Sequence, residues 1–200
     1  FDYLPLSDGT LAIIVGDVSG HDVSAALVMA STRAHLRSFA EDHSSVQEIV
    51  EHTNSILTRE TDDGRFVTLF VLELDYRQRS LRFVNAGHPH GYVLGMDGTL
   101  KTKLGSTSFP LAVLPDSEYA VSAPTALESG DLVLLITDGI LESRSPDGAY
   151  FDSQKLLDVV RENQSCAAAN IIDGIHQAVS QFTGGADAQD DLTAVIMKVK

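Results

Sequence analysis

The chain has 200 residues, 44% of them hydrophobic, which is enough to bury one sizeable core, and its 28 acidic and 14 basic residues give a formal charge of -14. That balance excludes the basic footprint of a nucleic-acid binder and disfavours contact with an anionic membrane surface. No apolar run approaches the roughly 18 residues of a membrane span, and the N-terminal text has no basic n-region or cleavage signal, so a cytoplasmic protein is expected.

The text Phe1-Asp2-Tyr3-Leu4-Pro5-Leu6 reads as mid-domain sequence. Residues 1–200 are therefore expected to be a single domain, a fragment of a longer protein. After the turn Ser7-Asp8-Gly9, the run Thr10 to Val15 is apolar on both faces and predicts a doubly covered strand that ends at Gly16-Asp17. Ala26, Leu27, Met29, Ala30, Ala34 and Leu36 predict a helix over Ala25 to Phe39. A second helix follows Ser44-Ser45, where Ser45 and Glu48 have capping-box spacing and Val46, Ile49, Val50 and Leu57 share a face.

Phe66 to Leu74 and Leu81 to Asn85, joined by Arg77-Gln78-Arg79, read as a hairpin. Short strands are predicted at Gly91 to Leu94, at Thr99 to Lys103 after the Asp97-Gly98 turn, and at Tyr119 to Ala123. Leu132 to Ile136 is another doubly buried strand, broken at Thr137-Asp138-Gly139. Helices fit after Asp152 through Val160 and over Ala167 to Phe182, and Leu192 to Val199 closes the chain as a strand. Antiparallel strands with paired helices early and late predict an α+β fold, layered as an α/β/β/α sandwich. The single cysteine, Cys166, lies among alanines that offer nothing to lower its pKa; it reads as helix packing, with no disulfide.

Aspartates stand where apolar strands end or begin: Asp17 in Gly-Asp-Val-Ser-Gly-His, Asp138 in Thr-Asp-Gly, and Asp190-Asp191 ahead of Leu192-Thr193. Carboxylates beside a core strand are costly to desolvate, and converging ones repel, a conflict that divalent cations resolve. Hard oxygen ligands without cysteine suit Mg²⁺ or Mn²⁺ rather than zinc. Two such ions about 3.5–4 Å apart can activate a water for in-line attack on phosphorus without a protein nucleophile. Each Asp-Gly alone is only a turn signal.

Taken in order, Gly-Asp-Val-Ser-Gly-His (16–21), Asn-Ala-Gly-His-Pro (85–89), Gly-Asp-Leu (130–132) with Thr-Asp-Gly (137–139), and Asp-Asp-Leu-Thr (190–193) resemble the metal-dependent protein phosphatases of the 2C type, in their bacterial SpoIIE/RsbU branch. The resemblance covers nearly the whole chain. It implies two mainly antiparallel sheets flanked by pairs of antiparallel helices, two Mn²⁺ or Mg²⁺ ions, and hydrolysis of phosphoserine or phosphothreonine. By motif position, Asp17 should bridge both metals, the Val18 carbonyl should bind one, and Asp138 and Asp190 the other, with Asp191 competing with Asp190. The implied substrate is an anti-sigma-factor antagonist, and the implied neighbour an upstream sensory or receiver domain.

The chain departs from the family pattern at three places. An acidic residue is expected just ahead of Phe1, Asp22 stands where glycine is usual and reads as a helix N-cap, and Ser19 occupies the position of a histidine in the animal branch. His21 and His88 read as structural, and His35, His43, His52 and His176 as surface residues. A haloacid-dehalogenase-like transferase fails because its nucleophilic aspartate would fall at Ile136. A catalytically weak, phosphatase-like binding module is the alternative.

Overall fold

A computed structural model describes residues 1–42, 45–61, 64–188 and 190–200. The elements in chain order are β1 (Asp2–Pro5), β2 (Leu11–Val18), α1 (Val23–Asp42), α2 (Val46–Glu60), β3 (Val67–Asp75), β4 (Ser80–Ala86), β5 (Gly91–Leu94), β6 (Leu100–Leu104), β7 (Thr125–Ala126), β8 (Leu132–Ile136), α3 (Asp138–Glu142), α4 (Ser153–Glu162), α5 (Ala168–Phe182) and β9 (Ala194–Lys198). They form two compact units, one of residues 1–88 and 105–127, the other of residues 89–104 and 128–200.

The first unit has an antiparallel five-stranded sheet in the order β1-β2-β3-β4-β7. Alternation sorts each strand between two faces. Ala12 and Ile14 of β2 and Val67, Leu69 and Val71 of β3 join a core with Leu36 and Ala40 of α1 and with Ile49, Val50 and Leu57 of α2. Each such buried Leu or Ile contributes about 1.5–3 kcal/mol. The other face is buried as well: Ile13, Val15, Phe70 and Leu72 are nearly inaccessible, and Phe70 stacks on Phe83 with ring centroids 5.2 Å apart. Burial on both faces explains the unbroken apolar stretches 11–15 of β2 and 69–72 of β3.

The second unit has an antiparallel four-stranded sheet in the order β6-β5-β8-β9. Leu132, Leu134 and Ile136 of β8 pack with Leu156 and Val160 of α4 and with Ile171, Ile175 and Val179 of α5. The helix expected after Asp152 is α4, and Asp152 caps it, its carboxylate accepting the Lys155 N–H at 3.0 Å. The cysteine is half-buried, and its carbonyl accepts from Lys198 Nζ at 2.7 Å.

Several expectations change. The mid-domain text at the start forms β1, and α3 follows β8 directly. On α1 the buried positions are Ala25, Thr32, Leu36 and Ala40, while Ala26, Leu27, Ala30 and Ala34 face outward. Apolar residues ring that helix, so composition alone could not pick the packed face. Ser45 makes no side-chain cap bond, so the capping box does not form. Tyr119 to Ala123 is not a strand: Ser122 donates its N–H to Phe83 at 2.9 Å, but Phe83 returns its own N–H to the Ser122 hydroxyl at 3.1 Å rather than to a carbonyl. Main-chain pairing resumes only at Thr125–Ala126. Ser44 and His43 lie outside the described residues.

Candidate metal centre

In the first unit, β2 continues past its expected end. The ladder pairs Asp17 with Thr68 and Val18 with Val67. Asp17 is half-buried and Val18 buried. The Thr68 hydroxyl lies 3.5 Å from the Asp17 carbonyl and 2.9 Å from His88 Nδ1. Ser19 closes the ladder: its N–H donates to Phe66 at 3.0 Å, and its hydroxyl accepts the Phe66 N–H at 3.0 Å.

Asp22 then starts α1. One carboxylate oxygen accepts the Ala25 N–H at 2.9 Å and the other accepts from Arg65 at 2.7 Å. The Ala25 N–H, followed by the Arg65 guanidinium, holds this carboxyl below its ordinary value. Asp22 is the N-cap that its position suggested. His21 beside it is exposed.

The Asn-Ala-Gly-His-Pro segment opens with a turn. Gly87 has φ +69°, and a Cβ there would stand 2.5 Å from the Pro110 ring, so glycine is required twice over. The Asn85 side chain accepts the His88 N–H at 2.8 Å, and His88 is buried, in keeping with a structural role. His35 is half-buried, with Nε2 3.1 Å from the Ser31 hydroxyl, rather than a plain surface residue.

In the second unit, one threonine ties the two acidic segments together. Thr137, buried at the end of β8, donates its hydroxyl to the Asp191 carbonyl at 2.9 Å and accepts the Thr193 N–H at 3.0 Å. Its own N–H donates to Thr193 at 3.0 Å. The next residues, Asp138 and Gly139, begin α3. At Gly139 a Cβ would lie 2.5 Å from the Asp191 carbonyl oxygen and 3.3 Å from Asp190 Cβ, so the Thr-Asp-Gly glycine makes room for the second acidic segment.

Asp138 and Asp190 consequently each offer a carboxylate oxygen, and the two atoms lie within 4.8 Å of one another. Asp138 Oδ1 is buried and has no hydrogen-bond partner among the described residues. A buried anionic oxygen without a donor, facing a second carboxylate, is uncompensated in protein alone and fits a hard divalent cation. Asp190 also accepts the Asp191 N–H at 2.8 Å, whereas the Asp191 side chain is exposed and its carbonyl serves Thr137.

The sequence reading passed over Thr68 and the Thr137 hydroxyl. Thr68 could have been found only from the β2–β3 register. Thr137 stood inside a quoted motif, but nothing in the text says that its hydroxyl reaches residues 191 and 193.

Two antiparallel sheets with their helix pairs, and carboxylates at strand ends, define a phosphatase fold of the PP2C type. A solved example is the SiaA-PP2C domain of Pseudomonas aeruginosa, to which this chain is similar with a TM-score of 0.85 and 22% identity, over 100% of this chain and 79% of that one. The family model described as "Stage II sporulation protein E (SpoIIE)" matches residues 7–200, and the chain belongs to that family. It is 28% identical to Protein IcfG of Synechocystis sp. over 98% of this chain and 34% of that protein. It is 22% identical to the phosphoserine phosphatase RsbU of Bacillus subtilis over 96% of this chain and 56% of RsbU. The chain thus spans between about a third and a little over half of these curated relatives.

Proposed function

We propose that residues 1–200 work as one catalytic domain, a metal-dependent phosphatase that hydrolyses phosphoserine or phosphothreonine on a protein. The observation that carries this reading is the buried, unpartnered Asp138 oxygen beside the Asp190 carboxylate, within a chain of the SpoIIE family. Asp17, the Val18 carbonyl, Asp138 and Asp190 are the residues that would hold two divalent cations, Mn²⁺ or Mg²⁺. Asp191 acts through its main chain, which Thr137 holds.

When bound, the two cations supply Lewis acidity and an activated water for attack on phosphorus, while offsetting charge on the phosphoryl oxygens. The chain's own residues set the geometry. The β2–β3 ladder fixes the Asp17 main chain, Thr137 fixes the loop that carries Asp190, and Gly139 admits that loop against α3. No serine, cysteine or histidine is needed as a nucleophile.

The RsbU likeness supports a phosphoserine protein as substrate, and the family branch supports an anti-sigma-factor antagonist in particular. A sensory or receiver domain preceding this one is part of the same proposal, as is a cytoplasmic setting. Among the described residues no helix is long and apolar enough to cross a membrane. No observation favours the alternative of a binding module without turnover.

The test is hydrolysis of p-nitrophenyl phosphate and of a phosphoserine protein, with Mn²⁺ and after its removal by EDTA. Metal-dependent turnover that disappears in Asp17→Asn and Asp138→Asn is expected. Cation binding without turnover in the unmodified protein would replace the enzyme reading with the binding module.

A further inference from the structure

A cavity of about 250 Å³ opens in the second unit beside the acidic pair, and Gly139, Glu142, Arg144, Asp187 and Asp190 are among its lining residues. Among the described residues Arg144 is the only basic side chain in that lining. Arg33, Arg37, Arg65, Arg82 and Arg161 each meet a carboxylate at 2.5–2.9 Å, whereas Arg144, like Arg59, Arg77 and Arg79, meets none among the described residues; of these four, Arg144 alone lines the cavity. What sets Arg144 apart is its setting: in a chain of charge -14 it shares the cavity with Glu142, Asp187 and Asp190 and pairs with none of the three.

What holds Arg144 is Tyr150. The guanidinium carbon lies 4.5 Å from the Tyr150 ring centroid, and the guanidinium donates to the Tyr150 hydroxyl. An antiparallel bridge joins the two residues through their main chains. The turn between them is closed by the Ala149 and Gly148 ends: Ser145 donates its N–H to Ala149 at 2.9 Å, and Gly148 donates to Ser145 at 2.8 Å. The arm is therefore anchored at its base and along its plane. A guanidinium has five N–H donors, and Tyr150 takes few of them. The open edge matches a planar, two-oxygen anion.

We propose that Arg144 is a substrate-binding residue, and that this cavity takes an oxyanion of the phosphoprotein in bidentate contact with its guanidinium. The oxyanion is either the phosphoryl group or a carboxylate side chain beside the phosphoresidue. The inference rests on the phosphatase reading above, because that reading makes Asp190 and Gly139, which bound the same cavity, part of the reacting centre. The surrounding acids repel any anion that Arg144 does not hold, so recognition is concentrated on this one side chain. Tyr150 is a positioning residue.

The experiment compares wild type, Arg144→Ala and Arg144→Lys with Mn²⁺ present. The substrates are p-nitrophenyl phosphate and two phosphoserine peptides, one with acidic and one with neutral flanks. Binding of inorganic phosphate and of both peptides is measured by calorimetric titration in parallel. Arg144→Ala is expected to raise KM about 10- to 100-fold with kcat little changed, the scale of a lost charge-assisted hydrogen bond. Lysine should restore only part of this, since an ammonium cannot fork.

A loss shared by all three substrates and by inorganic phosphate assigns the phosphoryl group. A loss confined to the acid-flanked peptide assigns the neighbouring carboxylate. Unchanged KM and unchanged binding throughout would overturn the proposal. Should the wild type show no turnover, the phosphatase reading fails by itself. The titrations would still decide Arg144, because equal binding by wild type and Arg144→Ala sinks it. Tyr150→Ala should weaken binding in the same direction while leaving the melting temperature in place.

Discussion

The two units secure their acidic residues by different means. Asp17 is part of a ladder of eight residue pairs running from Leu11↔Leu74 to Val18↔Val67, so its main chain is held by many bonds at once. Asp138 and Asp190 lie beyond the end of the β8–β9 ladder at Ile136↔Ala194 and depend on one residue, Thr137, through its hydroxyl and its N–H to Thr193, and on the missing Cβ of Gly139. A ladder spreads a disturbance over its neighbours, while a loop tied through one residue concentrates it. The same chemical group is thus robustly placed in one unit and delicately placed in the other.

The largest effects fall on the carboxylates themselves. Asp17→Asn, Asp138→Asn and Asp190→Asn should each lower Mn²⁺-dependent turnover by more than the roughly 100-fold typical of losing a residue that merely orients a ligand. Asp191→Asn should stay near wild type, because its carbonyl rather than its side chain makes the contact. Equal losses at 190 and 191 would remove that distinction.

Glycine replacements separate the units next. Gly139→Ala places a methyl 2.5 Å from a main-chain oxygen, and should cost about 1–3 kcal/mol in urea unfolding together with about 10- to 100-fold in Mn²⁺ affinity. Gly16→Ala meets Leu69 Cδ1 at 2.9 Å and the Thr68 carbonyl at 3.2 Å; the leucine end can turn aside, so the smaller loss is expected there. The reverse order would contradict the ladder-versus-loop contrast.

A parallel pair is Thr137→Val and Thr68→Val. The first leaves the Thr193 N–H and the Asp191 carbonyl without their side-chain partner, and should cost about 1–3 kcal/mol. The second leaves the main-chain ladder intact and should cost about 0.5–1.5 kcal/mol, with little change in metal affinity.

The smallest effect is a pH dependence at the edge of the first unit. Arg37, ahead of the Tyr3 N–H and Arg33, holds the Asp2 carboxyl down from 3.8 to about 2 against the cost of its burial. A carboxyl lowered on folding stabilises above its unfolded value, and that contribution fades as pH falls from near 4 towards 2. Asp2→Asn should therefore melt a few degrees below wild type at pH 7, and the gap should close by about pH 2. A gap that persists there would assign the stabilisation to packing.

Much of this was legible before any coordinates. The doubly apolar runs at Thr10 to Val15 and Leu132 to Ile136, and the β-branched and aromatic run at Phe66 to Leu74, form strands as read, because such short runs suit a pleated, buried surface. Asp152 and Asp22 stood where helices begin, and both cap. The face of α1 was not legible, since apolar residues surround it and only the sheet beneath chooses Ala25, Leu36 and Ala40 over Leu27. Nor was Tyr119 to Ala123, where a serine hydroxyl takes the place of a carbonyl.

By itself the sequence determined most of the longer elements, the acidic motifs and the family, because periodicity and motif order are properties of the string. The tertiary structure alone decided that the Thr137 hydroxyl binds a loop 54 residues away, that the Gly139 hydrogen is the space Asp191 occupies, and that Arg144 is held by a tyrosine rather than by an acid. The first two are contacts between atoms more than 50 residues apart in sequence, and the third is a side-chain pairing across a turn. Such contacts follow from strand register and loop path, which no local pattern of residues encodes.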